Sequence, residues 1–511
     1  MLAKVKSFGI NGIDGYLVDV EVDISYGLPT YDIVGMGDTS IKESKFRVKS
    51  AIRNSHYQFP IDKITINLAP AYVKKEGALY DLAIAIAILA SNEIVDIEKV
   101  NQYAYVGELS LDGSVKKVNG LLPILIAARD IGIKRIIIPK ENEKEASYLE
   151  GIEVYCVSSL QQIVEFLTGF QTIMPVEVVP FEEMQTSIEI PDDFKYVKGQ
   201  AIAKRALEIC AAGGHNCILI GPPGTGKSML AKAFPTILPD LTFDEALEVT
   251  KIHSIAGILD NKIGIVPHRP FRSPHHTATA IALTGGGHKA KPGEVCLAHN
   301  GVLYLDEMPE YKRDAIESLR QPLEDGKIVV SRIQQSIEYP ANVILIASMN
   351  PCPCGYYGDE DVTKCKCTPA QIQKYRNKLS GPILDRIDLH IEVDSVNYDE
   401  MMSKKEEEPS CEVKKRVEMA KAIQLERFKK DKIFNNAKMN QKHILKYCQL
   451  DEETQEIMKN AFEALDLSAR AYNRILKVAR TIADLDGCEK IQQEHVLEAI
   501  QYRNLDSKYG I

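Results

Sequence analysis

Residues 221–228, with the sequence GPPGTGKS, have the composition and spacing of a phosphate-binding loop. They follow an apolar run at 217–220 that predicts a buried strand, and they precede residues 229–233, which predict a helix. Lys227 would contact the β- and γ-phosphates and Ser228 would ligate Mg²⁺, so the loop predicts binding of ATP with magnesium. A chance match is the alternative, and the flanking strand and helix argue against it. The residues assigned to the nucleotide are Gly221, Pro222, Pro223, Gly224, Thr225, Gly226, Lys227 and Ser228.

Two further predicted strands end in polar side chains that suit the same chemistry. Residues 301–307 (GVLYLDE) end in Asp306 and Glu307, and residues 341–350 (ANVILIASMN) end in Asn350. Ligands of open α/β sheets bind at the carboxyl ends of strands, so we expect these side chains beside the phosphate loop. Asp306 is predicted to hold Mg²⁺, Glu307 to polarise the attacking water and Asn350 to orient that water. A strand-end cap or turn residue is the alternative for Asn350.

Two arginines are candidates for neutralising the charge that develops on the transferred phosphoryl group. Arg386 precedes a predicted strand, and we assign it to catalysis because such an arginine is often supplied in trans by a neighbouring subunit. A structural salt bridge with Asp385 or Asp388 is the alternative. Arg470 lies in the first turn of a predicted helix near the C-terminus, where we expect it over the bound phosphates. A solvated charge on the helix face is the alternative.

Four cysteines lie close together in an otherwise cysteine-poor region. They are Cys352, Cys354, Cys365 and Cys367. Four thiolates from one loop match the tetrahedral ligand set of a structural zinc ion, and we predict Zn²⁺ there. Two pairs of thiols without a metal are the alternative. Bound zinc would hold the loop between Asn350 and Arg386.

Composition limits the classes of protein to which the chain can belong. The 511 residues are 45% hydrophobic and 26% charged, with a net charge of −9 and a pI of about 5.8. A basic field over the whole chain is therefore excluded, and any contact with nucleic acid must be local. The most apolar stretch, residues 82–90, is too short to span a bilayer, and we expect a cytoplasmic protein.

The order of predicted elements indicates a multidomain α/β protein. Residues 1–172 alternate strands and helices and predict an α+β domain, and residues 173–194 read as a proline-containing linker. Residues 195–396 contain the phosphate loop and predict a parallel α/β core. Residues 397–511 are helical in pattern and predict an all-helical lid.

The first of these domains resembles the proteolytic domain of Lon proteases over residues 107–142, which end in the same IPKEN sequence. The positions that match the family's catalytic serine and lysine are Leu79 and Leu122. A dyad with both members replaced by leucine has neither a nucleophile nor a base. We therefore expect an inactive, Lon-like domain that serves assembly or binds a partner.

Over nearly its whole length, the chain resembles the ComM/YifB family of Mg-chelatase-like AAA+ ATPases. Six blocks carry the resemblance: KGQAIAKRALEICAAGGHN, RPFRSPHHTATAIALTGGG, PGEVCLAHNGVLYLDEMPE, ASMNPCPCGYYG, LSGPILDRIDLHIEV and SARAYNRILKVARTIADLDG. The resemblance implies a homo-oligomeric, hexameric ring with a central AAA+ core. It also implies that Arg386 is the arginine finger and Arg470 the second sensor.

Two segments match hairpins that face the central pore in this family, residues 268–294 and 326–340. The basic residues that would reach phosphates are Arg269, Arg272, Lys289, Lys291, Lys327 and Arg332. Several copies around a pore would multiply a modest local charge. Packing hairpins with solvated charges are the alternative.

The resemblance implies an ATP-driven DNA helicase that moves branched, duplex or single-stranded DNA. The activity implied is branch migration during homologous recombination of incoming DNA in natural transformation. A protein-remodelling AAA+ machine and a chelatase-type motor are the alternatives. Pore-facing aromatic residues would favour remodelling, and the candidates are Phe271 and Tyr339.

Overall fold

The computed structural model describes residues 2–181, 192–287, 290–331, 336–358, 364–395, 402, 407–431, 433–465 and 467–503. The chain forms two compact units. The first comprises Met1–Ser187 and Thr242–Pro267, and the second comprises Ile188–Leu241 and His268–Ile511. The sequence did not predict that Thr242–Pro267 groups with the first unit, and the domain boundaries given above remain predictions. Among the described residues, no helix is long and apolar enough to cross a bilayer.

The strands are short, apart from the first two. Their bounds are β1 Leu2–Asn11, β2 Asp14–Ser25, β3 Tyr31–Val34, β4 Lys63–Ala69, β5 Ala104–Tyr105, β6 Glu108–Leu109, β7 Val115–Lys116, β8 Arg135–Pro139, β9 Glu153–Val157, β10 Cys217–Ile220, β11 Phe271–Arg272, β12 Gly285–Gly286, β13 Lys291–Pro292, β14 Val302–Leu305, β15 Lys327–Ser331, β16 Ser336–Pro340, β17 Ile344–Met349 and β18 Leu389–Glu392.

The α-helices lie between these strands and follow the last one. Their bounds are α1 Thr39–Asn54, α2 Asp81–Ser91, α3 Ile97–Val100, α4 Leu121–Asp130, α5 Glu143–Ala146, α6 Leu160–Thr168, α7 Ala201–Gly213, α8 Lys227–Ala233, α9 Phe243–Ala256, α10 Ala280–Thr284, α11 Glu294–Leu297, α12 Arg313–Glu317, α13 Arg320–Asp325, α14 Pro369–Arg376, α15 Gly381–Leu384, α16 Ser410–Arg427, α17 Gln441–Tyr447, α18 Glu452–Ala464, α19 Ala469–Leu485 and α20 Gln493–Gln501.

The first unit is built on a mixed sheet of seven strands in the order β3-β4-β2-β1-β5-β8-β9. β1 pairs antiparallel with β2 along the whole length of β1, from Leu2↔Asp23 to Asn11↔Asp14, and β8 pairs in parallel with β5 and with β9. Every residue of α2 is buried, as its run of alanine, isoleucine and leucine predicts. Leu79 and Leu122 also contribute to packing: Leu122 is 1% exposed, and Leu79 packs against the cores.

Helix α9 belongs to the first unit although it follows the phosphate loop in sequence. It begins with a capping box, in which Thr242 Oγ1 accepts from Glu245 N at 3.2 Å and Glu245 Oε2 accepts from Thr242 N at 3.1 Å. Near its end, the Ser254 hydroxyl donates to the buried Glu145 carboxylate and accepts from Gly120 N at 3.0 Å. The helix therefore supplies a hydrogen-bond partner that the Glu145 side chain uses inside the first unit.

Segment 173–181 also packs within the first unit. Val176 N donates to Val154 O and Val179 N donates to Ser147 O, each at 2.8 Å, and the Phe181 side chain is buried. This part of the predicted linker therefore has fixed partners. Residues 182–191 lie outside the described part of the chain.

The second unit contains a parallel sheet of five strands in the order β11-β14-β17-β10-β18. Strand β10 lies between β17 and β18, and it pairs with β17 from Cys217↔Ile346 and with β18 from Cys217↔Leu389. Its residues are fully buried, as expected for a parallel sheet covered on both faces. The predicted parallel α/β core is confirmed.

The C-terminal region, from α16 to α20, is helical as predicted, and α19 is the helix most buried within it. Two antiparallel hairpins also occur in the second unit. β12 pairs with β13, and β15 pairs with β16 from Lys327↔Pro340 to Ser331↔Ser336. Two of the predicted basic residues, Lys289 and Arg332, lie outside the described residues.

Candidate functional site

The phosphate loop leaves the carboxyl end of β10 and leads into α8, which begins at Lys227. Gly224 and Gly226 have φ angles of 81° and 88°, in the left-handed region that favours glycine. Gly221 needs to be glycine for a different reason, since an added Cβ would lie 2.1 Å from the carbonyl oxygen of Val393. The loop geometry therefore depends on the glycines of the motif.

Lys227 is 9% exposed, and its side chain lies against the backbone of the phosphate loop. Its Nζ donates to Gly221 O at 2.8 Å, to Pro222 O at 2.7 Å and to Asn350 Oδ1 at 3.3 Å. Burial lowers the pKa of the Lys227 ammonium, and the nearby carboxylates of Asp306 and Glu307 oppose that shift. The structure thus brings Lys227 and Asn350 together at the carboxyl ends of neighbouring strands.

Ser228 and Asp306 form the candidate magnesium site. Ser228 Oγ donates to Asp306 Oδ2 at 3.4 Å, and Tyr304 OH donates to Asp306 Oδ1 at 2.8 Å. Ser348 Oγ donates to the same Oδ1 at 2.5 Å. A hydroxyl and a carboxylate are the hard oxygen ligands that Mg²⁺ prefers, so the residues present fit the ion.

Tyr304 and Ser348 are site residues that the sequence did not identify. Burial raises the pKa of the Tyr304 hydroxyl, which keeps it protonated and able to donate to Asp306. Both residues lie in apolar strands, and the sequence pattern therefore assigns them to the core. The sequence did contain a signal for Tyr304, because it precedes Asp306 by two residues and alternate residues along a strand point to the same face.

Glu307 is exposed and has φ 50° and ψ 49°, the left-handed conformation that is uncommon for a residue with a side chain. Its N–H donates to Ser348 Oγ at 3.0 Å. This bond fixes the backbone turn at the end of β14.

The four cysteines of the predicted zinc site come together. The Sγ separations are 3.3 Å for Cys352 and Cys354, 3.9 Å for Cys352 and Cys365, and 3.7 Å for Cys354 and Cys365. All four sulfur atoms, including that of Cys367, lie within 4.8 Å of one another. Tetrahedral zinc with Zn–S bonds of about 2.3 Å needs sulfur atoms about 3.8 Å apart, so the donor set fits the ion.

The cysteine loop also contacts the phosphate loop. Gly355 has a φ of 89°, and a Cβ added there would lie 2.6 Å from Cδ of Pro223. Cys352 follows Asn350 by two residues along the chain. The cysteine loop is therefore connected to the nucleotide site both by contact and by sequence.

Arg386 lies at the other end of the parallel sheet. Its guanidinium donates to Arg320 O at 3.2 Å and to Pro382 O at 2.7 Å, and it pairs with the Glu324 carboxylate. It precedes β18, whereas the phosphate loop follows β10. Because β10 has 4 residues, its first and last Cα atoms are about 10 Å apart at roughly 3.3 Å per residue. The structure does not bring Arg386 to the phosphate loop of its own chain.

Arg470 lies beside Arg386 and not over the phosphate loop where we expected it. Its Nη1 is 3.9 Å from Asp385 Oδ2, and the side chain is 68% exposed. Both arginines line one cavity of about 450 Å³ between α19 and the amino ends of the strands. The role of Arg470 at the nucleotide remains a prediction. In the structure, Arg470 and Arg386 both lie away from the phosphate loop of their own chain.

The predicted basic hairpins are in part committed to internal contacts. Arg269 donates to Pro239 O at 2.6 Å, to Asn300 O at 2.8 Å and to Asp240 O at 3.3 Å. Arg272 forms a bidentate pair with Glu294 at 2.7 and 3.0 Å. These two arginines therefore have structural partners. Lys291 and Lys327 are exposed at the surface, and Lys327 pairs there with Glu338 at 3.0 Å.

Three family models match the chain in succession. "Subunit ChlI of Mg-chelatase" matches residues 20–142, "Magnesium chelatase, subunit ChlI" matches residues 193–401, and "Magnesium chelatase, subunit ChlI C-terminal" matches residues 407–503. The second of these ranges contains the phosphate loop, the two acids that follow β14, and Arg386.

Individual proteins are similar to the chain over nearly its full length. It is 42% identical over 506 residues to the competence protein ComM of Haemophilus influenzae, covering 98% of this chain and 97% of that protein. It is 43% identical over 511 residues to YifB of Escherichia coli, covering 99% of this chain and 97% of that protein.

A shorter similarity links part of the chain to a protease. The chain is 29% identical over 167 residues to the Lon protease of Lachnoclostridium phytofermentans, covering 30% of this chain and 20% of that protease.

Proposed function

Because the chain belongs to the ComM/YifB family of Mg-chelatase-like AAA+ proteins, we propose that it is an ATPase that works as a ring-forming DNA motor. The observation that carries the proposal is the division of the site between the two ends of one parallel sheet. Lys227, Asp306 and Asn350 lie at the carboxyl ends, and Arg386 and Arg470 lie at the amino ends.

Each group at the carboxyl ends has a role in hydrolysis that follows from its type and position. Bound Mg²⁺ would neutralise charge on the β- and γ-phosphate oxygens. Ser228 and Asp306 would hold that ion, and Lys227 would leave its loop carbonyls to contact the phosphates. Glu307 would accept a proton from the attacking water, which the Asn350 amide would orient.

The arginines make the proposed site depend on a second subunit. A guanidinium that stabilises the transition state must approach the γ-phosphate, and neither arginine is near its own chain's loop. A ring in which Arg386 and Arg470 face the neighbour's carboxyl-end residues would complete each site. We therefore propose a homo-oligomeric ring, hexameric as the resemblance implies.

DNA is the proposed substrate, and branch migration in recombination of incoming DNA the proposed activity. The relative from Haemophilus influenzae is named as a competence protein, which supports a role with DNA. The exposed Lys291 and Lys327 on two hairpins are the charges that would contact phosphates. The alternative, protein remodelling, loses support because Tyr339 is 2% exposed and donates to Ala290 O at 2.8 Å.

The cysteine loop is proposed to hold one structural zinc ion through Cys352, Cys354, Cys365 and Cys367. Zinc would fix the loop that carries Gly355 against Pro223 and would thereby stabilise the edge of the nucleotide site.

The proposed function is tested by ATP hydrolysis and strand exchange on branched DNA. We expect DNA to stimulate hydrolysis and Lys291→Glu to weaken that stimulation. The salt dependence of DNA binding by this variant should fall by the equivalent of about one phosphate contact per subunit. Lys99→Glu, at an exposed position in the first unit, is the matched control and should behave as the unaltered protein. Stimulation by an unfolded protein and none by DNA would instead favour remodelling.

A further inference from the structure

Asn216 is the residue at which three strands of the second unit are joined at their amino ends. It immediately precedes β10, and its carbonyl accepts from Asp388 N at 2.9 Å and from Leu389 N at 3.1 Å. Its side chain reaches further: Nδ2 donates to Arg386 O at 3.0 Å, and Oδ1 accepts from Leu345 N at 2.8 Å.

Each of the joined elements carries part of the proposed site. β10 leads into the phosphate loop, and β17, which contains Leu345, ends before Asn350. The segment before β18 carries Arg386. The Asn216 amide thus bridges the two strands that would contact the subunit's own nucleotide and the segment that would contact the nucleotide of the neighbour.

The residue before it extends the connection to the lid. His215 is fully buried, with Nδ1 3.2 Å from Asp388 Oδ2 and Nε2 2.8 Å from Thr481 Oγ1 of α19. Arg474, also on α19, donates to Ile387 O at 3.2 Å. The backbone on the C-terminal side of Arg386 is therefore held from the lid, and Asn216 holds the carbonyl of Arg386 itself.

We propose that Asn216 is a positioning residue for catalysis in trans, which fixes the backbone of Arg386 so that its guanidinium reaches the nucleotide of the neighbouring subunit. This inference rests on the proposed ATPase function. The Arg386 guanidinium has partners that it must exchange for phosphate oxygens, whereas its backbone must keep its place while the side chain turns. A side-chain amide that bonds to that carbonyl is suited to this role.

The test uses mixed rings of the full-length chain. Asn216→Ala should bind ATP within about twofold of the unaltered protein, while its hydrolysis falls about 100-fold, the size of effect expected from a displaced catalytic group. Lys227→Ala has a defective phosphate loop and an intact arginine, so mixing it with Asn216→Ala should restore hydrolysis. Arg386→Ala shares the proposed defect, and mixing it with Asn216→Ala should restore none.

Asn142→Ala is the matched control for lost stability. Asn142 is also an asparagine that donates to a backbone carbonyl and accepts from a backbone N–H, both of Val118, but it lies in the first unit. Its rings should hydrolyse ATP normally for the amount of folded protein. Asn216→Ser, which keeps a hydroxyl, serves if the alanine variant does not assemble.

Three results would overturn the proposal: hydrolysis by Asn216→Ala at the unaltered rate, rescue by Arg386→Ala, or failure of rescue by Lys227→Ala while the folded variant still enters rings. A mixture of Lys227→Ala with Arg386→Ala tests the shared site without Asn216. If that mixture is inactive, the proposed site between subunits is refuted, and the role of Asn216 with it. If the mixture is active and the Asn216→Ala mixtures behave otherwise than expected, only the role of Asn216 is refuted.

Discussion

Ser348 donates a hydrogen bond of 2.5 Å to Oδ1 of Asp306 across the β14–β17 pair. The same hydroxyl accepts from Glu307 N at 3.0 Å, so a single serine orients the proposed magnesium ligand and fixes the turn that carries the proposed catalytic carboxylate. Partners that orient a metal ligand typically account for 10–100-fold in affinity or activity.

Ser348→Ala should therefore lower the rate of ATP hydrolysis about 10–100-fold and raise the magnesium concentration needed for half-maximal activity. Titration of Mg²⁺ at saturating ATP measures both effects. Ser318→Ala removes a hydroxyl that donates instead to a backbone carbonyl, Ala315 O at 2.6 Å, and is the control. Equal magnesium dependence in the two variants would contradict the assignment.

Lys227→Ala and Glu307→Gln should separate binding from hydrolysis. Without Lys227 the loop loses its point charge for the phosphates, so ATP binding should be abolished. Glu307→Gln keeps the shape of the side chain but removes the proposed base, so the variant should bind ATP and accumulate assembled rings without turnover. Nucleotide binding and sedimentation, measured in parallel, check both outcomes. A glutamine variant that hydrolyses at the unaltered rate would show that Glu307 is not the base.

Purified protein should contain about one zinc ion per chain, as expected of a structural site. Removal of zinc by a chelator should reduce ATP binding, because the cysteine loop contacts the phosphate loop. Cys354→Ser should lower the metal content in the same way, whereas Cys411→Ser, at an exposed cysteine outside the cluster, should not. Metal contents below about 0.2 per chain in freshly purified protein would argue against a structural site.

Gly355→Ala tests the contact between the two loops directly. The added methyl group would lie 2.6 Å from Pro223 Cδ, so one of the loops must move and nucleotide binding should weaken. Gly487→Ala is matched for backbone conformation, with a φ of 67° and no atom within 4 Å of the added group. The difference in ATP affinity between the two variants measures the contact without the shared backbone strain, and equal affinities would show that the contact has no effect.

Stability of the first unit should depend on pH through Glu145. Burial raises the pKa of this carboxyl above its ordinary 4.5, and bonds from Ser254, Leu122 and Asn142 offset part of that shift. A carboxyl whose pKa is raised in the folded state contributes most to stability below pH 4.5. That contribution is lost as the pH rises through the pKa of the folded state. Thermal unfolding of Glu145→Gln should therefore be less dependent on pH in this range than that of the unaltered protein. An equal dependence of the unfolding temperature on pH in the two proteins would contradict this role of Glu145.

The phosphate loop, its acids and the cysteine cluster were predictable because each is encoded by residues close in sequence or at strand ends. Tyr304 and Ser348 were missed because apolar neighbours hide polar residues that act across a strand pair. Helix α9 was missed although Thr242, Glu245 and Gly257 carry an N-terminal capping box and a C-terminal glycine. The place of Arg470 depends on how the lid docks against the strands, and no local pattern encodes that.

The discontinuity of the first unit affects how this protein can be divided or recombined. Thr242–Pro267 is encoded after the phosphate loop, yet its Ser254 bonds to Glu145 and Gly120. A single crossover between the coding regions of the two units would deprive those groups of their partner and leave α9 in a chain that cannot bury it. Exchange of the Lon-like half among unrelated genes by simple domain shuffling is therefore disfavoured, and the two halves should be inherited as one piece.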